Sequence, residues 1–558
     1  MSFHRDDQAA DVKKSGELEF VDFSEVLFSV PNSRLLVEWL DGRFRIYCVE
    51  YEVAIENCLL AEVEWIACTA KVGLKKPTAV WASVLSEGLA MALYENSIWI
   101  RVENNLSWRI TVSDNLRLHS VEDDDGVRIS ALPEESPYGL SRYFDGFAEF
   151  RETADRVVED WMDKTPKSPP ARRAMVRQCW WTLGANVVTM ILDDTPSRLV
   201  VPSKRGYVGL WQWDAYFAAI GLSLGDIDLA IEQLDIALRY QKEDGQLPDV
   251  VSDRGVLLSS ADLPRADRKK MEADCSAVKG RTDIPLTKPP LTGWAFERVM
   301  QRCSEAKRAS LIEEYYCKVA DSQLWWFSEN AAAIQGVPAY AHPYSSGLDD
   351  SPVFDYDLPV KTPDLLAYLI LQEKIVAKWS LENSGGSSYD AQSGAHRLGL
   401  LREELQKLWN HERRCFLAQS KTQLITHRTV LSLIAAWSGA LKPEQLDAIC
   451  SDLMDEHRFS TSYGVPSVSK DDAGFRAEIM WRGPIWVNTT YLIAEALERE
   501  GHELLAEHLK NQILEFVERA GPVEFLSPVS GRRCTAATTS FSWSAALYLD
   551  IACRDYRA

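Results

Sequence analysis

The hydrophobic period of this chain changes once, across "DKTPKSPPARR" (Asp163 to Arg173), where three prolines interrupt any continuous helix or strand. Before that point, "RLLVEWLDGRFRIYCVEYEV" and "SIWIRVENNLSWRITVSDNLRLHSV" alternate apolar with polar residues and break at Asp-Gly and Asn-Asn. Those are the marks of short strands joined by tight turns, and their number predicts a β-sandwich. After it the period is helical. "DIDLAIEQLDIALRYQ" sets Ile227, Ala230, Ile231, Leu234 and Leu238 on one stripe with acids opposite, and similar stripes recur in "PDLLAYLILQEKIVAKW", "GLLREELQKLWN" and "TYLIAEALEREGHELLAEHLKNQILEFVE". The 558 residues are therefore expected to divide into a flexible N-terminus at 1–17, a β-sandwich at 18–140, a linker helix or loop at 141–173 and a helical domain at 174–558.

The formal charge of −21 argues against nucleic acid and anionic membrane surfaces, which need clustered Lys and Arg. A neutral small molecule fits better. The 11 cysteines form no CxxC pair, so reduced thiols and no zinc site are expected. The start lacks an apolar leader, and no run approaches the roughly 18 apolar residues of a membrane helix. The expected location is cytoplasmic, with homo-oligomerisation left open. A charged insertion, Arg254 to Asp283, reads as a lid, an oligomer contact or a plain solvated helix.

GxGxxG after a strand, GxxxxGK[ST], HExxH and GxSxG with a following His are all missing, and the nine His form no spaced pair. What remains is carboxylates among aromatics. Trp213 and Asp214 lie in "GYVGLWQWDAYF", Asp349 and Asp350 in "HPYSSGLDDSPVFD", Trp481, Arg482 and Trp486 in "MWRGPIWVNTTYL", and Glu524 and Trp543 in the C-terminal "GPVEFLSPVSG" and "TSFSWSAALYLD". Glycoside hydrolysis needs such a set: one carboxylic acid to protonate the leaving oxygen, and one carboxylate to activate water or attack the sugar carbon. An aromatic wall hinders ionisation of the acid. Taken singly, each segment has a structural alternative. Either Asp of the pair suits a helix cap or an Asx turn, the tryptophans suit a core, and Glu524 suits a surface loop.

In order along the chain, "WDAYF" (Trp213 to Phe217), "QKEDGQLP" (Gln241 to Pro248), "PPLTGW" (Pro289 to Trp294), "SGLDDS" (Ser346 to Ser351), "WRGPIW" (Trp481 to Trp486) and Glu524 ahead of "FSWSAAL" resemble glycoside hydrolase family 63. The resemblance is to its mannosylglycerate-hydrolase-like branch, with trehalases as more distant relatives. It spans about residues 175 to 555 and implies a mainly α fold, an (α/α)6 barrel or toroid preceded by the β-sandwich. It implies an inverting exo-α-glycosidase acting on a small α-glucoside or α-mannoside, of disaccharide, glycosyl-glycerate or glycosyl-glycerol type, with no cofactor and no metal. Asp349 matches the general acid and Glu524 the general base, with Glu478 a second candidate for the base. Asp214 matches a residue that grips sugar hydroxyls, and Trp213, Gln241, Gly347, Trp481, Arg482, Trp486 and Trp543 would line the same pocket. Lys288 stands where relatives tend to carry Gln before Pro-Pro, and is a candidate contact for an anionic aglycone. The same toroid also hosts trehalase and α-L-rhamnosidase-like activities, and a catalytically dead carbohydrate-binding protein is the reading outside enzymes.

Overall fold

The computed structural model describes residues 28–556 except 41–42, 67–77, 81–82, 87–88, 103–106, 113–117, 124–125, 132–143, 264, 266–267, 270, 272–282 and 384–389. The expected N-terminal tail at 1–17, both turn dipeptides and half of the Arg254 to Asp283 insertion lie outside the described residues.

The alternating segments form two antiparallel sheets. β1 (Leu35–Leu40), β2 (Arg43–Cys48), β3 (Leu59–Ile66) and β8 (Ser107–Val112) make a four-stranded sheet in the order β1-β2-β3-β8. β4 (Thr78–Val80), β5 (Ser83–Ser86), β6 (Leu89–Tyr94), β7 (Ser97–Val102), β9 (Leu118–Asp123) and β10 (Gly126–Ala131) make a six-stranded one in the order β4-β5-β6-β7-β10-β9. In β2, Phe44 and Ile46 are buried while Arg43 and Arg45 point outward, with Arg45 Nε 2.5 Å from Glu62 Oε2 across the ladder. Period two thus places one face inward and one in water. The segment expected as a linker carries α1 (Phe147–Met162), which lies against β5, β6 and β7. Its Phe147 and Phe150 meet Trp99 edge-on, with ring centroids 6.2 and 5.6 Å apart.

Beyond it come α2 (Arg173–Ala185) and a hairpin that the helical period did not announce, β11 (Val187–Leu192) with β12 (Thr195–Val200). The remaining helices are α3 (Gln212–Leu222), α4 (Ile227–Arg239), α5 (Thr292–Met300), α6 (Glu305–Trp325), α7 (Pro363–Glu382), α8 (Ala391–Lys407), α9 (Val430–Ile434), α10 (Pro443–Met454), α11 (Val487–Arg499), α12 (Glu503–Ala520) and α13 (Ser542–Ala552). Helix α9 continues into a 3-10 turn over Ala435–Ser438.

Among the described residues, six of these helices touch in a cycle: α3 meets α5, α5 meets α7, α7 meets α9 and its 3-10 extension, these meet α11, α11 meets α13, and α13 returns to α3. Every residue of α3 and of α13 is buried, so these two helices are covered all round rather than along one stripe. Between successive ring helices the chain passes through α4, α6, α8, α10 and α12. On α4 the predicted stripe is buried at Ala230, Ile231, Leu234 and Leu238. Short loops such as the one from Leu222 to Ile227 make each pair antiparallel neighbours. The segments leading into the ring helices are the ones that carry the candidate residues. No helix among the described residues is long and apolar enough to cross a membrane.

Candidate active site

Asp214 sits in the first turn of α3. That turn is fixed by Gln212, whose Oε1 accepts the Lys288 N–H at 3.1 Å, and by the pairing of Trp211 with Val250. Burial pushes the Asp214 carboxyl well above the usual range; Lys288 opposes that, while Glu524 and Asp349 add to it. The Lys288 ammonium is buried, 2.9 Å from Asp249 Oδ1, and donates to Tyr344 O at 2.7 Å. Burial would lower its pKa, but Asp249, Asp349 and Asp214 together hold it raised and charged. Lys288 therefore links the start of α3, the segment of Asp249 and the Tyr344–Asp349 turn.

Asp349 and Asp350 lie in a turn built by serines. Ser346 Oγ donates to Pro343 O at 2.7 Å and accepts the Leu348 N–H at 3.0 Å. Between them Gly347 has φ +74°, and a Cβ there would come within 2.3 Å of the Trp213 indole. Glycine is needed here both for the left-handed backbone and for the ring that covers it. The two carboxylates diverge. Asp349 is in electrostatic reach of Asp214, Glu524, Tyr207 and Lys288. Asp350 Oδ1 instead accepts the Trp481 N–H at 2.8 Å, and its Oδ2 is 4.0 Å from Arg482 Nε.

Glu524 is buried in an extended segment where Trp486 pairs with Phe525. Its Oε2 accepts the Thr538 N–H at 2.9 Å and its Oε1 the Tyr207 hydroxyl at 3.3 Å. Burial raises its pKa to about 7; the Thr538 and Tyr207 donors counter that, and Asp349 adds to it.

Four tryptophans of the same segments form an aromatic box. Trp481 and Trp486 stack with centroids 3.7 Å apart and planes 8° apart. Trp543 meets Trp213 at 5.6 Å and Trp486 at 5.7 Å, and Trp213 meets Trp481 at 6.1 Å. The structure thus brings together Trp213, Asp214, Gly347, Asp349, Trp481, Trp486, Glu524 and Trp543.

Two of the expected lining residues are used elsewhere. Gln241 Nε2 donates to Gly245 O at 3.0 Å and Lys318 O at 2.8 Å, closing its own loop onto α6. Arg482 forms a fork with Asp355, at 2.9 and 2.5 Å, so it stands beside the Asp350 carboxylate and not beside Glu524. Glu478 is exposed and hydrogen-bonded with Cys534. No group of His, Cys, Asp or Glu able to hold a metal ion occurs among the described residues. Sequence reasoning passed over Tyr207 and Asp249. Both lie within or beside quoted segments, seven residues before Asp214 and directly after Pro248, but nothing local distinguishes them from a core tyrosine or a turn aspartate.

The family model described as "Mannosylglycerate hydrolase MGH1-like glycoside hydrolase domain" matches residues 207–544. Mannosylglycerate hydrolase MGH2 of Selaginella moellendorffii is 22% identical over 420 residues, covering 64% of this chain and 83% of its own length. Glucosylglycerate hydrolase of Mycolicibacterium hassiacum is 22% identical over 438 residues, covering 66% and 97%. The crystal structure of GH63 mannosylglycerate hydrolase from Thermus thermophilus in complex with glucose superposes with a TM-score of 0.54 at 20% identity, over 66% of this chain and 98% of that one. The chain belongs to the mannosylglycerate hydrolase MGH1-like family of glycoside hydrolases.

Proposed function

We propose that this protein is an inverting, exo-acting α-glycosidase that hydrolyses a small α-mannoside or α-glucoside of glyceric acid or a similar short aglycone. Asp349 is its general acid and Glu524 its general base. The observation that carries this reading is the convergence of Asp214, Asp349 and Glu524, carried on the segments that also supply the four-tryptophan box, with Glu524 held by a different donor on each oxygen. Asp349 protonates the departing oxygen, and Glu524 takes a proton from the water that attacks the anomeric carbon on the opposite face. Asp214 grips sugar hydroxyls, and the indole faces receive the sugar's C–H faces. An inverting pair needs carboxyls roughly 6.5–9.5 Å apart to admit that water. The substrate class is supported by relatives named for mannosylglycerate and glucosylglycerate. The cycle of contacting ring helices supports the (α/α)6 toroid, and the two antiparallel sheets support the N-terminal sandwich, with the domain division at 18–140, 141–173 and 174–558.

A panel of α-mannosides and α-glucosides carrying glycerate, glycerol or a second sugar, with the first-formed anomer followed by NMR, tests the reading. The β-anomer should appear first from an α-glycoside; an α-anomer first would establish retention and remove Glu524 from the role of base.

A further inference from the structure

The segment that brings Tyr207 to Glu524, Ser203 to Trp211, has the catalytic helices on one flank and the β-sheet region on the other. On the catalytic flank Ser203 Oγ donates to Thr539 O at 3.0 Å, the Ser542 N–H donates to Pro202 O at 2.8 Å, and the Tyr207 ring stands 5.9 Å from Phe541. On the opposite flank the contacts come from the N-terminal region. Lys204 is fully buried, and its Nζ donates to Ser29 Oγ at 2.8 Å and to Val30 O at 3.3 Å. Arg205 Nη1 lies 3.6 Å from Glu38 Oε1. The Tyr51 ring stands 5.9 Å from Trp211 and covers Gly209 so closely that a Cβ there would be 3.0 Å from it. Arg34 pairs with Asp253 and Arg254 with Glu50, which anchors the hairpin of β14 (Val250–Ser252) and β15 (Gly255–Leu257), and β14 pairs with β13 (Leu210–Trp211).

A buried amino group is costly unless its N–H groups are received, and those of Lys204 are received by oxygens of the N-terminal region. The family match begins at Tyr207, so the sheets lie outside it. They nevertheless touch the segment on both sides of that tyrosine.

We propose that the N-terminal β-region is a positioning element of the catalytic centre: through Tyr51, Ser29 and Glu38 it holds the Ser203–Trp211 segment in the register that keeps the Tyr207 hydroxyl on Glu524. This rests on Glu524 being the base. The Tyr207 hydroxyl favours the ionised carboxylate, so a loosened segment raises the pKa of Glu524 and moves the acid limb of the rate profile to higher pH.

The test uses the full chain carrying Tyr51→Ala, which removes the ring that lies against Gly209 and Trp211, with Tyr207→Phe and the double variant beside it. The pH dependence of kcat/KM and the rate of tryptic nicking after Lys204 or Arg205 are both measured. Both single variants should move the acid limb upward by about 0.5–1 pH unit, the size of one neutral hydrogen bond, and the double variant should move it no further. Tyr51→Ala should also be nicked several-fold faster. A limb that stays in place in Tyr51→Ala while Tyr207→Phe moves it, or nicking that does not change, overturns the proposal. If Tyr51→Ala does not fold, Ser29→Ala and Glu38→Gln carry the same readouts. Near-normal turnover by Glu524→Gln would instead remove the base assignment, and the nicking rate then decides the clamp by itself.

Discussion

The ring helices carry buried carboxylates at both ends, and the two ends treat them differently. At the ends remote from the aromatic box, Arg298 Nη1 is 2.6 Å from Glu495 Oε1 and its Nη2 is 2.7 Å from Asp550 Oδ2. Arg302 lies 2.5 Å from Asp550 Oδ1, Trp294 Nε1 donates to Glu495 Oε2 at 3.0 Å, and the Tyr491 hydroxyl donates to Asp550 at 2.7 Å. Arginine forks and ring donors saturate the acids there and tie α5, α11 and α13 together. Helical rise puts Asp550 about 10 Å along α13 from Trp543. At that second end the cation acting on Asp214 is a single lysine already engaged by Asp249 and Tyr344 O, and the carboxyls of Asp214 and Glu524 are pushed up. Similar residue types at similar burial serve stability where they are saturated, and are poised for proton transfer where they are not.

The comparison breaks most sharply on rates. Asp349→Asn and Glu524→Gln should each lower kcat by about 10²–10⁴-fold, the range of general acid–base catalysis, with unchanged circular dichroism and thermal midpoint within a few degrees. A variant of either that retains near-normal turnover would remove that residue from the mechanism. At the saturated end Arg298→Met should do the reverse. It leaves the buried Glu495 without its arginine and Asp550 with Arg302 alone, so chemical denaturation should show a loss of about 3–5 kcal/mol, while the folded fraction keeps its kcat. A loss of activity per folded molecule would show that the two ends are coupled.

The same contrast has a pH signature. Glu524 is raised to about 7 in the folded protein, above its ordinary 4.5, so the native state binds the extra proton between those values. The stability this gives is present below about pH 4.5 and is lost as the pH rises through about 7. Glu524→Gln, neutral throughout, should therefore gain thermal midpoint relative to the parent as pH rises across that window; a difference independent of pH would mean that Glu524 is ionised there without strain. The smallest effect belongs to Asp350→Asn. It weakens one hydrogen bond to the Trp481 N–H and leaves Asp349, the proposed proton donor, in place, so kcat should fall by less than about tenfold. Losses equal to those of Asp349→Asn would reverse the roles of the two neighbours.

The buried stripe of α4 and the order of the motifs are local patterns, and local patterns survive in one dimension, whereas the first helix, Phe147–Met162, already precedes the proline-rich stretch at which the period is expected to change. The β11–β12 hairpin was missed because its Val, Met, Ile and Leu run is too short to separate from a buried helical turn by period alone. The placement of Gly347 under Trp213 could be anticipated as a shared pocket, though not as a close contact across the chain.

The sequence by itself determined the residue types, their order and the membership of a glycoside hydrolase family, because each depends on side chains a few positions apart. Tertiary structure alone decided the rest. Tyr207 meets Glu524 across 317 residues, Lys288 turns to Asp249 and the acid turn, Arg482 chooses Asp355, and Gln241 closes its own loop. Each choice is made where several loops converge at the ends of packed helices. Which donor reaches which carboxylate depends there on distances that only the folded ring sets, and those distances also decide which acids are neutralised and which remain available for chemistry.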